Sequence, residues 1–425
     1  MTKEPPMNLT PDQVAQAARQ FPTPFHLYDE EGIRSSARRL NQAFSWNPGF
    51  REYFAVKATP TPAILQILRE EGCGLDCSSL TELLLAQAGG FRGDEVILSS
   101  NVTPDEDFRL AARLGAILNL DDETHLPVVR ALTGLPEAVC LRYNPGEAFP
   151  SSNAVMDSPA QAKYGLTRSQ LLAAYRALAS EGVKRLGIHA FLASNCLDPT
   201  YYPRLARFLF ETVRDLFRET GVAIAFVDLS GGIGIPYGPG EVPVDVEAVG
   251  EAVRRAYEEV LVPEGLSPAL FTELGRWMTG PHGCLVARVL REKRIHKHYL
   301  GLDACAADLM RPAMYKSWHR ISVPEREGGP TAVYDVTGGL CENNDKFAVD
   351  RELPVTSVGD LVVIHDTGAH GRSMGYNYNG KLRSAEVLFQ ADGTFRLIRR
   401  AETPADYFAT LDCWPDHPIR GILAP

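Results

Sequence analysis

Between Phe50 and Arg276 the chain alternates two hydrophobic periods. Runs of near-continuous apolar character, FREYFAVKA, CGLDCSS, EVILSSN, AILNLDD, AVCLRYN, RLGIHAF, IAFVDLSGG and ALFTELGR, read as buried strands. The stretches between them, such as TPAILQILREEG, SLTELLLAQAGG, DEDFRLAARLG, SQLLAAYRALASEG and YYPRLARFLFETVRDLFRETG, carry apolar residues at helical spacing and a glycine near the C-terminal end. Eight strand-helix units predict a closed parallel (β/α)8 barrel, because each right-handed crossover covers one more strand. An open doubly wound sheet is the competing solution. The barrel is preferred because nearly every predicted strand ends in a polar or ionisable feature: Lys57, Asp76, Asn101, Asp121, Arg142, His189, the Gly231–Gly234 turn and Glu273. A barrel gathers such ends on one face.

After Arg276 the pattern changes. LVARVLREKRIH, TAVYDVTG, GDLVVIHDTG and AEVLFQADGTFRLIRRAE are separated by turns, which predicts a second, mainly antiparallel β domain. The expected boundaries are a segment 1–30 that packs with the β domain, a barrel over 31–280, and the β domain over 281–425.

Composition narrows the partners. A chain of 425 residues, 45% hydrophobic and 23% charged, is long enough for two globular domains. Its net charge of −10 argues against nucleic acid or an anionic membrane. Eight cysteines in this length do not form a disulfide framework, and Cys73 and Cys77 lack a second ligand cluster, so no metal is expected. The stretch MTKEPPMNLTPDQ has no apolar signal segment and no run is long enough to span a membrane, so a cytoplasmic protein is expected.

Three features carry chemistry. Lys57 closes the apolar run Tyr53-Phe54-Ala55-Val56. A lysine desolvated there would titrate low, and its free amine could condense with an aldehyde; a side chain that snorkels to the rim is the plainer reading. Ser230-Gly231-Gly232-Ile233-Gly234 follows an apolar strand, where glycines let backbone N–H groups approach an anion or simply make a tight turn. In Glu273-Leu274-Gly275-Arg276 a carboxylate could accept from a protonated ring nitrogen and an arginine could bind phosphate or carboxylate; an ion pair at the rim is the alternative. An aldehyde trap, an anion cradle and a carboxylate for a pyridine nitrogen are together what pyridoxal 5'-phosphate requires.

The ordered motifs YFAVKA, GLDCSSLTE (with Asp76, Ser79 and Glu82), LRYNPG with Lys163-Tyr164-Gly165, SGGIGI, ELGR, DLMRPAMY, CENND and GAHGRSMGYNYNGKLRSAEVL cover the chain nearly end to end. In this order they resemble the barrel-fold (fold type III) pyridoxal-phosphate amino-acid decarboxylases, and among them the diaminopimelate decarboxylases. The resemblance implies that Lys57 holds the cofactor covalently and that Glu273 keeps its pyridine nitrogen protonated. It assigns the phosphate to Gly231, Gly232, Gly234 and the Gly275-Arg276 backbone, with Tyr378 contacting it, and gives Asp76, Arg142, His189 and Ser194 to cofactor binding. Arg276, Arg311 and Tyr315 would bind a substrate carboxylate, Tyr378 would line the substrate site, Glu342 would meet the distal ammonium, and Cys341 would donate the proton. The resemblance further implies a homodimer with shared sites, acting on a small amino acid; the charge and hydropathy above leave no nucleic acid or membrane among the expected partners.

Two departures bear on substrate. Phe191 stands where the family usually has a ring-stacking histidine, with His189 two residues earlier on the same strand face, and His370 stands where a tyrosine is common. The reading is decarboxylation of meso-2,6-diaminopimelate to L-lysine and CO2. The alternatives are a sister decarboxylase acting on ornithine, lysine, arginine or carboxynorspermidine, an amino-acid racemase, and a regulator built on an inactive fold; the last expects a lost lysine or glutamate, and Lys57 and Glu273 are both present.

Overall fold

In the computed structural model, which describes residues 9–150 and 158–411, the chain divides into two units. One comprises the described residues up to Gly32, Tyr237–Pro239 and the described residues from Thr279 onward; the other comprises the described residues of 33–236 and Gly240–Met278. The N-terminal stretch 1–8 and the last residues of the expected β domain, 412–425, lie outside the described residues.

The first strand, β1 (Phe25–Asp29), belongs to the β unit. The eight that follow form the barrel: β2 (Arg51–Ala55), β3 (Gly74–Cys77), β4 (Val96–Ser100), β5 (Ile117–Leu120), β6 (Ala138–Arg142), β7 (Arg185–His189), β8 (Phe226–Asp228) and β9 (Ala269–Thr272). Each pairs in parallel with the next, and β9 closes on β2 through Arg51↔Phe271 and Glu52↔Thr272. All eight strands coincide with the runs read from the sequence, and the closed barrel replaces the open sheet. Among the described residues seven helices of eight residues or more connect them, from Pro62–Glu70 to Val246–Val260. The longest, Tyr201–Thr220, buries Tyr202, Leu205, Leu209, Phe210, Val213 and Leu216 on one face and stops at Gly221, whose φ of 72° favours a residue without Cβ.

One part of the barrel interior is filled by Tyr53, Ile97, Ile117, Ala138, Cys140, Phe226 and Phe271, with Phe226 and Phe271 stacked at 4.7 Å. Gly187 is required there: a Cβ would lie 2.0 Å from the Phe226 ring. This aromatic packing closes the barrel as a core rather than a pore, so the chemistry is left to the carboxyl ends of the strands.

Among the described residues the β unit is a nine-stranded sheet. After β10 (Gly283–Arg294) and β11 (His298–Leu302) come β12 (Ile321–Ser322), β13 (Thr331–Thr337), β14 (Lys346–Pro354), β15 (Leu361–Ile364), β16 (Ala385–Phe389) and β17 (Phe395–Arg399). The main order is β14-β13-β11-β10-β1-β16-β17, with β15 on β10 and β12 on β15. Pairing is antiparallel except for β1 with β16 and β11 with β13. Among the described residues no helix is long and apolar enough to cross a membrane.

Candidate active site

Lys57 lies in a 3-10 turn, Val56–Ala58, just beyond β2. Register sets Ala55 beside Asp76 of β3, and Lys57 Nζ donates to Asp76 Oδ2 at 2.9 Å. The expected desolvated, low-pKa amine is not what forms. The Lys57 side chain is 50% exposed, whereas that of Asp76 is wholly buried. Desolvation pulls Lys57 down, but the charges of Asp76 and Glu273 outweigh it and hold the amine above its ordinary value. Burial and the charge of Glu273 push Asp76 up to about 7, with Lys57 opposing them. Lys57 and Asp76 therefore depend on each other for charge.

Glu273 follows β9 and is 7% exposed. Its Oε2 accepts from Ser230 Oγ at 2.8 Å and lies 3.1 Å from His189 Nε2; its Oε1 accepts from Ser99 Oγ at 3.2 Å. Asn119 Nδ2 donates to Ser99 Oγ at 2.9 Å, which leaves the Ser99 proton to point at Glu273. Burial alone would raise Glu273, but His189, Lys57 and Arg142 hold it well below the usual carboxylate range. His189 is wholly buried and makes contacts at both nitrogens: Nε2 with Glu273 and Nδ1 with Arg142 Nε at 3.3 Å. Arg142 is also engaged inward, its Nη1 donating to Asp121 Oδ1 at 2.8 Å. His189, Asp228 and Glu273 bring ligand-type atoms within 4.8 Å of one another. Because Arg142 can only donate, His189 Nε2 carries the ring proton and offers no lone pair to a metal there.

The glycine turn follows β8. Ser230 has a φ of 56° and Gly232 one of 121°. Cys196 N donates to Gly232 O, and Gly234 N donates to Cys196 O at 2.9 Å. Gly234, expected to bind phosphate, thus spends its N–H internally; its lack of a side chain serves packing, since a Cβ would stand 2.7 Å from the Asn195 carbonyl carbon. The N–H groups of Gly231, Gly232 and Ile233 take no acceptor among the described residues, and a Cβ on Gly231 would meet Glu273 O at 2.8 Å. A Cβ on Gly275 would meet Ala58 at 2.8 Å, and the buried Arg276 opens the short helix Arg276–Thr279. Ser194 is half-buried in the loop after β7. Phe191, also half-buried, meets Tyr164 edge-on at 6.3 Å, and Arg142 lies over the Tyr164 ring at 5.3 Å. An amine at the rim, a charged carboxylate with acceptor capacity left on Oε1 and N–H groups without an acceptor among the described residues fit pyridoxal phosphate.

The remaining expected residues lie in the β unit. Arg311 begins the helix Arg311–Tyr315 and is 4% exposed. Its guanidinium stands 5.3 Å from the Tyr237 ring and 5.6 Å from that of Tyr315, and Nη2 donates to Ser317 Oγ at 3.2 Å. Cys341 and Glu342 are exposed on a turn. Asp345 anchors that turn by accepting from Ala306 N and Leu340 N, both at 2.7 Å, and Asn379 Oδ1 accepts from Cys341 N at 2.7 Å. Tyr378, beside Asn379, is 54% exposed, and His370 has a φ of 54°. The motif reading missed Ser99, Asn119 and Tyr237; Ser230 and Asn379 stood inside motifs but were given no role of their own. Ser99 and Asn119 had one signal, a polar residue set inside an otherwise apolar strand run; Tyr237 had none.

A family model described as the pyridoxal binding domain of pyridoxal-dependent decarboxylases matches residues 30–280. The protein TabA of Pseudomonas amygdali pv. tabaci is 42% identical over 93% of this chain and 92% of its own. The diaminopimelate decarboxylase of Methanothermobacter thermautotrophicus is 33% identical over 92% of each chain. A crystal structure of diaminopimelate decarboxylase from M. jannaschii in co-complex with L-lysine superposes with a TM-score of 0.83 at 28% identity, covering 93% of both chains. The chain belongs to the pyridoxal-dependent decarboxylases and is a pyridoxal-phosphate-dependent amino-acid decarboxylase.

Proposed function

We propose that this decarboxylase converts meso-2,6-diaminopimelate to L-lysine and CO2, as a step of lysine biosynthesis in the cytoplasm. The observation that carries the reading is Arg311, a buried guanidinium flanked by Tyr237 and Tyr315. A buried cation suits a substrate with a second carboxylate and repels one whose far end is only an ammonium. Relatives named diaminopimelate decarboxylase over almost the whole chain support the same substrate.

In this reading Lys57 holds the cofactor through its amine and Asp76 keeps that amine charged until it reacts. Gly231, Gly232, Gly275 and Arg276 receive the phosphate, with Tyr378, and Ser194 lies alongside. Glu273 faces the ring nitrogen, its charge retained by the hydrogen bonds it accepts. Pyridoxal phosphate, when bound, supplies a cationic ring that withdraws the electron pair left as the carboxylate departs. Arg276, Arg311 and Tyr315 bind the distal carboxylate, Glu342 its neighbouring ammonium, and Cys341 delivers the proton that replaces CO2. The Cys-Glu turn serves the site of a second copy, so the working form is a homodimer.

The higher identity to TabA than to the relative named for diaminopimelate favours a second reading, a decarboxylase for a related amino acid. Incubation of the cofactor-loaded protein with a panel of amino acids, scored for CO2 and amine products, separates them. Diaminopimelate as the best substrate upholds the proposal; preference for any other member of the panel removes it.

A further inference from the structure

The charge of Glu273 is held from behind. His189 Nε2 is 3.1 Å from Glu273 Oε2, His189 Nδ1 is 3.3 Å from Arg142 Nε, and Arg142 Nη1 is 2.8 Å from Asp121 Oδ1. The geometry points to a positioning relay, Asp121–Arg142–His189, that fixes His189 as the neutral Nε2–H tautomer and so keeps Glu273 an acceptor-only carboxylate toward the cofactor's ring nitrogen. The inference rests on the assignment of Glu273 to that nitrogen.

Each proton in the relay has only one place to go. A guanidinium donates and never accepts, so His189 Nδ1 must present its lone pair to Arg142. A neutral imidazole then carries its proton on Nε2, where Glu273 receives it. The opposite tautomer would set N–H against N–H at Arg142 and lone pair against lone pair at Glu273. An imidazolium would keep the Glu273 contact but oppose Arg142, and complete burial disfavours it. Asp121 accepts from Arg142 and aims the guanidinium. Ser230 and the Asn119–Ser99 pair add two more donors to Glu273. The Asp228 carboxylate lies within 4.8 Å, but every group hydrogen-bonded to Glu273 donates to it, so a proton added there would have to displace a donor and a proton shared with the ring nitrogen stays on the ring. His189 does no chemistry itself; it is a positioning residue.

The test reconstitutes the full-length enzyme with pyridoxal phosphate carrying 15N in its ring and reads the nitrogen chemical shift alongside kcat and KM. Two replacements divide the roles of the imidazole. His189→Asn can still accept from Arg142 but stops short of Glu273, whereas His189→Gln reaches Glu273 with a donor. His189→Asn is expected to move the ring nitrogen toward its unprotonated shift and to lower kcat roughly 10- to 100-fold with little change in KM, the scale of one hydrogen bond to a charged group. His189→Gln should restore most of both. A loaded His189→Asn enzyme with wild-type shift and kcat overturns the relay. Glu273→Gln is the control: if it leaves the shift unchanged, the assignment of Glu273 to the ring fails instead. Should His189→Asn not fold or load, 15N-histidine spectra of the wild type decide, because the relay requires protonated Nε2 and unprotonated Nδ1 at His189 and the reverse pattern refutes it.

Discussion

The amine of Lys57 and the carboxylate of Asp76 are 2.9 Å apart, yet the lysine side chain is half exposed and the aspartate side chain wholly buried. The amine that would trap the aldehyde is open to an incoming ligand and tethered by an acid that is not. Lys57→Ala is expected to abolish turnover and the cofactor-sized mass increment left on the peptide after borohydride reduction. Peptide mass spectrometry makes the check; an increment persisting at another lysine would displace Lys57 from its role.

Glu273→Gln keeps the shape of the carboxylate and removes its charge. Cofactor loading should survive, because the phosphate cradle and Lys57 are untouched, while kcat falls by roughly 100-fold or more, the scale of one preorganised electrostatic stabiliser. Cofactor titration alongside steady-state kinetics tests this, and an unchanged kcat would show that another group governs the ring nitrogen.

Stability should depend on pH through His26. This residue of β1 is wholly buried, with Nε2 against Asp308 O at 3.1 Å and Nδ1 against Thr367 Oγ1 at 3.4 Å. Burial pushes its pKa from 6.5 down to about 4. Between those values the unfolded chain binds a proton that the folded protein refuses, so stability falls as pH drops from 6.5 to 4, by at most about 3 kcal/mol from this group. His26→Gln should remove that part of the acid sensitivity. Denaturant unfolding of both proteins across this range is the measurement, and parallel curves would contradict it.

The barrel was legible because its strands are short apolar runs and its helices are amphipathic, two periods that do not overlap. The β unit was legible only in part. Strand β14, KFAVDRELP, alternates poorly, and Asp350 within it has a φ of 48°, so no period of two marks it. Strand β1 buries His26 and Asp29 beside Phe25 and Leu27, which breaks the apolar run a buried strand would show.

At the site, position announced Lys57, Asp76 and Glu273, each at or just beyond a strand end. Their electrostatics were not legible. The charge on Lys57 depends on an acid 19 residues away, and the tautomer of His189 on an arginine 47 residues away. Tyr237, which flanks Arg311, comes from a loop with no motif to mark it.

If Arg311 reads a carboxylate at the far end of the substrate, the ratio of kcat/KM for meso-diaminopimelate to that for lysine shows it. Removing one partner of a buried charge-assisted contact costs about 2 to 4 kcal/mol. Arg311→Met should therefore cut efficiency on diaminopimelate roughly 30- to 1000-fold and shrink the ratio, because lysine has no carboxylate to lose and no longer meets a repelling cation. The expected wild-type ratio lies far above one and collapses in the variant. A wild type that prefers lysine or ornithine, or a ratio that Arg311→Met leaves unchanged, would contradict it.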